Sequence, residues 1–307
     1  MIRPSCLALL IASLFLPAVA TAQQGADPVA AAPGVQPAGP QQSAAAADPE
    51  IELNLISLST TQSIKRHRSY FRLNHRFSRD LRLGNFSDLA ADLFALDNGA
   101  VLGLEYRFGI TTSIQAGIHR STQTKALQVF GRWDAVRQGE NFPIGASALV
   151  SNEGLDNMQE AQQPAVAVVL SRTWGQRLAI YASPTYVDGT YHAALFAAGE
   201  AGHEHDHGGG GAGPNTADGE PDNGTFFIGL GTRARLLPSV FVVGEYSPRM
   251  AGFAPGDAMW GVALEKMTHG HTLALTLTNS YATTPGQIAR GGTPEALYLG
   301  FNITRKF

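Results

Sequence analysis

Twelve segments of the chain alternate apolar with polar residues at a period of two, and the gaps that separate them sort by parity. The segments lie at approximately 69–77, 99–108, 113–121, 125–136, 142–150, 163–173, 178–187, 224–236, 239–247, 258–267, 271–280 and 295–307, each bounded by turn-forming residues. Most reach the roughly 9 to 11 residues that a tilted strand needs to cross a hydrocarbon core. Gaps after even-numbered segments are short, at 109–112, 137–141, 174–177, 237–238 and 268–270. Gaps after odd-numbered segments are long, at 78–98, 151–162, 188–223, 248–257 and 282–294, with 122–124 the exception. Outer-membrane barrels join their strands this way, by tight periplasmic turns and long external loops. A soluble sandwich has no reason to do so. The expected class is all-β, a single transmembrane antiparallel β-barrel of about 12 strands over residues 69–307, with both termini periplasmic.

Charge decides which face of each strand looks inward. In 100–108, Leu102, Leu104, Tyr106 and Phe108 alternate with Gly103, Glu105 and Arg107. A charge facing lipid near the midplane costs about 2–4 kcal/mol, so the charged set belongs to the lumen. The same rule places Arg72, Arg76, Gln115, His119, Gln128, Arg132, Asp134, Arg233, Arg235, Glu245, Glu265, Asn302 and Lys306 inside. Seven basic and four acidic side chains then give a polar lumen with a cationic excess, suited to small anionic or zwitterionic solutes. The same charges are equally compatible with pairing across the lumen to brace the wall. Tyr106, Trp133, Trp174, Tyr186, Tyr246, Trp260 and Tyr281 fall mostly near strand ends and read as interfacial girdles.

The first residues fix the compartment. Arg3 precedes an apolar run at 7–19, and Ala20-Thr21-Ala22 supplies a small-residue cleavage site, so 1–22 reads as a secretory signal peptide. No later run is long enough for a membrane helix. Of the 22 basic residues only Arg3 leaves with the leader, so the mature chain carries 21 against 25 acidic residues and offers nothing to a nucleic acid. Cys6, the only cysteine, leaves too. Residues 23–50 are Ala, Pro, Gln and Gly with few large apolar side chains, which reads as a disordered periplasmic tether. The lead-in 51–68 is more β-prone through Leu53, Leu55, Ile56 and Leu58. It could lie inside the barrel, pair at its edge, or simply lead into the first strand.

Two loops carry features of their own. Within 78–98, Ser87 and Asp88 can cap a short helix whose Leu89, Leu93, Phe94 and Leu96 share an apolar stripe, with Asn98-Gly99 as its stop. Its expected place is folded into the mouth, where it would narrow the pore; the alternative is over the external rim. In the longest loop, His203, His205 and His207 alternate with carboxylates and could hold Zn, Cu or Ni, although the flanking glycines promise no fixed geometry. No cofactor is otherwise implied. An enzyme is not expected, since no nucleophile elbow, Walker loop or metalloprotease motif occurs. Some twelve-stranded barrels are phospholipases with a lipid-facing Ser-His pair, but no spacing brings Ser147 or Ser151 to His75.

The stretches Thr60-Thr61-Gln62-Ser63, Phe71-Arg72-Leu73-Asn74-His75-Arg76-Phe77, Phe94-Ala95-Leu96-Asp97-Asn98-Gly99 and Leu102-Gly103-Leu104-Glu105-Tyr106 resemble a family of bacterial membrane-bound β-barrels classed as a domain of unknown function. The resemblance covers most of the chain after Leu55 and implies an outer-membrane barrel, without a substrate or catalytic residues. Expected partners are outer-membrane lipid, a small solute, and the barrel-assembly machinery, because the strand ending on Phe307 resembles the signal that machinery reads.

Overall fold

Each alternating segment becomes one stave of a closed wall. The computed structural model describes residues 52–139, 141–175, 177–204 and 223–307, so the leader 1–22 and the tether 23–50 lie outside the described residues. The strands are β1 Ser69–Asp80, β2 Ala100–Gly109, β3 Ile114–Ser121, β4 Leu127–Val136, β5 Gly145–Gly154, β6 Glu160–Trp174, β7 Leu178–Val187, β8 Thr225–Leu237, β9 Val240–Ser247, β10 Arg249–Gly252, β11 Met259–Met267, β12 His271–Thr278 and β13 Tyr298–Lys306. Neighbours pair antiparallel around a ring of twelve, and β10 is an extra strand on β8, inside what the sequence marked as a long gap. The ring closes between β1 and β13, with Tyr70 opposite Lys306 and Asn74 opposite Asn302.

The two faces follow the charge rule. On β4, Gln128, Phe130, Arg132 and Asp134 are buried while Val129 and Trp133 are exposed. Phe71, Leu104, Ile118, Val150, Val168, Ile180, Leu230, Val262 and Leu273 continue the exposed apolar band around the ring. Such a surface is stable only against lipid. Val168→Arg, at the middle of β6, is therefore expected to lower the folding free energy in bilayers by about 2–4 kcal/mol, read by denaturant titration.

Tyr106, Trp133, Trp174, Tyr186 and Tyr246 lie exposed on the outer face, as girdle residues do. Tyr281 serves differently. Its ring packs 4.3 Å from that of Tyr298 and its hydroxyl donates to the Ser78 carbonyl at 2.8 Å, tying the last long loop to the end of β1.

The first long loop does carry a short helix, Phe86–Ala91, but its cap is Asn85, whose side chain accepts from the N–H groups of Ser87 and Asp88. The inward placement is not what forms. Phe86, Leu93 and Leu96 remain exposed, and Arg79 holds the insert to the end of β1 through Asp92 and the Asp88 carbonyl. Its apolar stripe covers only Leu89 and Ala95, so the helix sits at the rim. Two other segments fill the lumen instead.

Candidate functional site in the plugged lumen

Residues 52–64 enter the barrel from the short-turn end and double back on themselves. Leu55 N–H donates to the Leu58 carbonyl at 2.8 Å and Thr60 N–H to the Leu53 carbonyl at 2.9 Å, closing a tight loop with Ile56 and Ser57 at its tip. Leu53, Leu55, Ile56 and Leu58 are adjacent in a way that no single strand face can bury, and the lumen buries all four. Glycines in the wall make room for three of them. A Cβ at Gly229 would stand 2.6 Å from Leu58 Cδ2, one at Gly261 would stand 3.1 Å from Ile56 Cδ1, and one at Gly231 would collide with Leu55 Cδ1. Tyr181, Phe227, Val243 and Met259 complete the apolar side of the seat.

The polar side of the wall grips the plug through its main chain. Arg233 donates to the carbonyls of Asn54, at 2.7 Å, and Glu52, at 3.4 Å. Arg72 donates to the carbonyls of Leu55 and Ile56, Asn302 to that of Ile56, and Arg132 to that of Gln62 at 2.7 Å. Glu245 Oε2 accepts from the N–H groups of Ser57 and Leu58, at 2.9 and 3.2 Å. Backbone groups with no ladder partner must be satisfied somehow once buried, and the wall does it. Ion pairs then offset the cost of burying the charges. Arg132 meets Asp134 at 2.6 Å, Arg233 meets Glu265 at 3.0 Å, and Arg107 meets Glu105, with Asn54 bonded to both members of that last pair.

The last long loop closes the lumen from the opposite end. Its short helix Pro285–Ala289 is capped by Thr284 and lies buried, with Gly286, Gln287, Ile288 and Ala289 all inside. Glu153 on β5 receives the Thr284 hydroxyl and the Arg290 guanidinium, while Thr283 bonds the His119 ring at 3.1 Å. Ser57 Oγ donates to the Ala282 carbonyl at 2.7 Å, so plug and loop meet. Between them and the wall remains a cavity of about 40 Å³, bordered by Arg107, Gln128 and Phe130. That is room for a few waters.

Of the residues expected in the lumen, Arg72, Arg76, Glu105, Arg107, His119, Arg132, Asp134, Arg233, Glu245 and Glu265 are buried within the barrel. Arg235 and Lys306 are only half-buried, near the short-turn mouth. The lumen is not the wet passage that the charge count suggested, because the plug and the last loop occupy it. Glu52, Asn54, Glu153 and Arg290 belong to the site and escaped the sequence reading, which followed alternation within strands. The side chain of His203 and the residues His205 and His207 lie outside the described residues. Among the described residues no three His, Cys, Asp or Glu side chains cluster as a metal site. His75 stacks on Phe301 at 4.6 Å on the outer face, whereas Ser147 and Ser151 are buried on the inner one, so they form no pair.

Glu52, in the plug and outside the strands, makes the seat sensitive to acid. Burial pushes its carboxyl up, but the Lys306 charge and hydrogen bonds from Thr304, the Leu53 N–H and Thr272 together hold it below the ordinary glutamate value. Its folded value is thus lower than its unfolded one. The stabilisation is present above the ordinary value of about 4.3 and is lost as pH falls through the lowered one. Proteolysis of the N-terminal segment from the short-turn side is expected to quicken below about pH 4, and Glu52→Gln to remove that dependence.

Residues 52–307, plug and barrel together, match the family described as "Membrane bound beta barrel domain (DUF5777)". No curated protein sequence matches the chain. Similar solved structures include the NanC porin, at 8% identity over 78% of this chain and 98% of that one with a TM-score of 0.47. The KdgM porin, solved in complex with disordered oligogalacturonate, aligns at 6% identity over 78% and 99% with a TM-score of 0.46. An outer membrane channel from Pseudomonas putida F1 aligns at 11% identity over 84% and 100% with a TM-score of 0.45. At these identities the likeness is one of fold alone.

Proposed function

The chain belongs to the membrane-bound β-barrel family, and from that premise we propose that it is an outer-membrane channel held shut by its own N-terminal segment, with both termini periplasmic. The observation that carries this reading is the construction of the seat. No residue of 52–64 belongs to a barrel strand, so the plug can withdraw through the short-turn mouth without breaking a strand-to-strand hydrogen bond of the wall. A barrel meant to be solid would fill its interior with its own side chains. Here Gly229, Gly231 and Gly261 keep the wall hollow where Leu58, Leu55 and Ile56 sit.

Withdrawal leaves a cationic lining. Arg72 gives its hydrogen bonds to plug carbonyls and Arg76 to Asn302 and main-chain oxygens, and neither forms a carboxylate salt bridge among the described residues. The open lumen would therefore favour small polar or anionic solutes. The test is single-channel recording of the full chain in planar bilayers. The native protein is expected to open rarely. The full chain carrying Leu55→Asp, Ile56→Asp and Leu58→Asp is expected to hold a steady anion-selective conductance. If both stay shut while heat-modifiable gel migration reports folded barrels, the protein is a closed structural barrel and the channel reading is wrong.

A further inference from the structure

We propose that the lumen is a binding site for a peptide folded back on itself in a tight turn, and that residues 52–64 are its resident occupant in cis. The inference rests on the plug-release reading, because a second peptide can enter only a vacated seat.

The wall reads atoms that every peptide has. Arg233, Arg72, Asn302 and Arg132 donate to main-chain carbonyls spread from Glu52 to Gln62, and Glu245 accepts from two consecutive main-chain N–H groups. A saccharide or a small anion presents no such pair of adjacent N–H donors. Selectivity comes from the notches. Gly231, Gly261 and Gly229 admit aliphatic side chains at three positions spaced i, i+1 and i+3, here Leu55, Ile56 and Leu58. Polar side chains are also read: Asn54 donates to Glu105 and accepts from Arg107, Glu52 accepts from the Thr304 hydroxyl, the Ser57 hydroxyl donates to the Ala282 carbonyl, and Thr61 bonds Ser171. The ligand class is thus a turn-forming segment of the form Glu-aliphatic-Asn-aliphatic-aliphatic-Ser-aliphatic, as residues 52–58 are. A tethered occupant holds its seat at an effective concentration of about millimolar, so a dilute peptide in trans competes only when the plug is weakened.

The experiment uses the full chain and a fluorescent synthetic peptide covering residues 50–66, with binding followed by anisotropy. The chain carrying Leu55→Asp, Ile56→Asp and Leu58→Asp is expected to bind it at least tenfold more tightly than the native chain does. The chain with alanine at the same three positions serves as a milder vacated seat, and gel migration reports folding of each. A peptide that keeps residues 52–61 but changes the side chains outside them should bind within threefold of the original. Methylating the peptide nitrogens of Ser57 and Leu58, which removes the donors to Glu245, should weaken binding at least tenfold. No binding to a folded vacated seat, or binding indifferent to methylation, overturns the inference. Conductance without peptide binding sinks it alone, whereas peptide binding without conductance sinks only the channel reading.

Discussion

Arg233→Met is expected to lower the unfolding free energy of the barrel by about 3–5 kcal/mol, measured by denaturant titration in lipid vesicles. Methionine preserves most of the length and volume of the side chain, so packing changes little. What is lost is the counter-charge of Glu265, which sits 3.0 Å away with its side chain only 3% exposed. A carboxylate stranded there stays largely desolvated without its counter-charge, and among the described residues its Oε1 has no hydrogen-bond partner. The same substitution takes the donor from the Glu52 and Asn54 carbonyls, so the plug loosens as the wall weakens. Arg233→Met combined with Glu265→Met is expected to recover most of the loss, because removing both charges also removes the desolvation cost. Lys125 and Asp156 provide the contrast. They stand 3.3 Å apart at the exposed rim, with side chains 57% and 36% exposed, and Lys125→Ala is expected to cost about 0.5 kcal/mol or less. A cost for Arg233→Met as small as that would mean the buried pair does not brace the wall.

The wall was legible in the sequence because its rule is local. Two environments, lipid outside and polar groups inside, impose a period of two on every strand, so β2 and β4 could be assigned to faces residue by residue, and the first segment, 69–77, could be matched to the last, 295–307, as the closing pair that β1 and β13 form. The plug obeys no such rule. Leu55 and Ile56 are consecutive and both buried, which tells a reader only that the segment is covered on every side. What covers it lies more than 150 residues away at Gly229, Gly231 and Gly261, and a glycine in a strand says nothing by itself about which side chain approaches. The inward loop was misplaced for a related reason. The stripe Leu89, Leu93, Phe94 and Leu96 advertised an amphipathic helix, yet only Leu89 among these is buried. The short helix Pro285–Ala289 advertised nothing, and enters the lumen because Glu153, Gln163 and His119 satisfy its polar neighbours from strands far away in sequence.

Gly231→Val is expected to convert the native channel from rare to sustained opening while leaving the barrel folded. A Cβ at this position occupies the place of Leu55 Cδ1, so the leucine must leave its notch. Exposing a buried leucine forfeits about 1.5–3 kcal/mol, enough to raise the fraction of vacated plugs by one to two orders of magnitude. The displaced main chain also carries the Leu55 and Ile56 carbonyls away from Arg72. The wall itself has no objection, since Gly231 pairs within β8 with Tyr181 and Glu245 on its neighbours, and a β-branched residue suits that place. Gly244 supplies the control. A Cβ there would meet Thr232 at an ordinary 3.5 Å and no plug residue, so Gly244→Val should leave the conductance unchanged. The decisive arm is compensation. Leu55→Ala alone should loosen the plug, because the notch is left unfilled, but Leu55→Ala placed on Gly231→Val should return the barrel toward its shut state, because the valine then fills the space the leucine held. Effects that simply add would show that the two residues do not share the seat, and the notch would lose its claim to hold the plug in place.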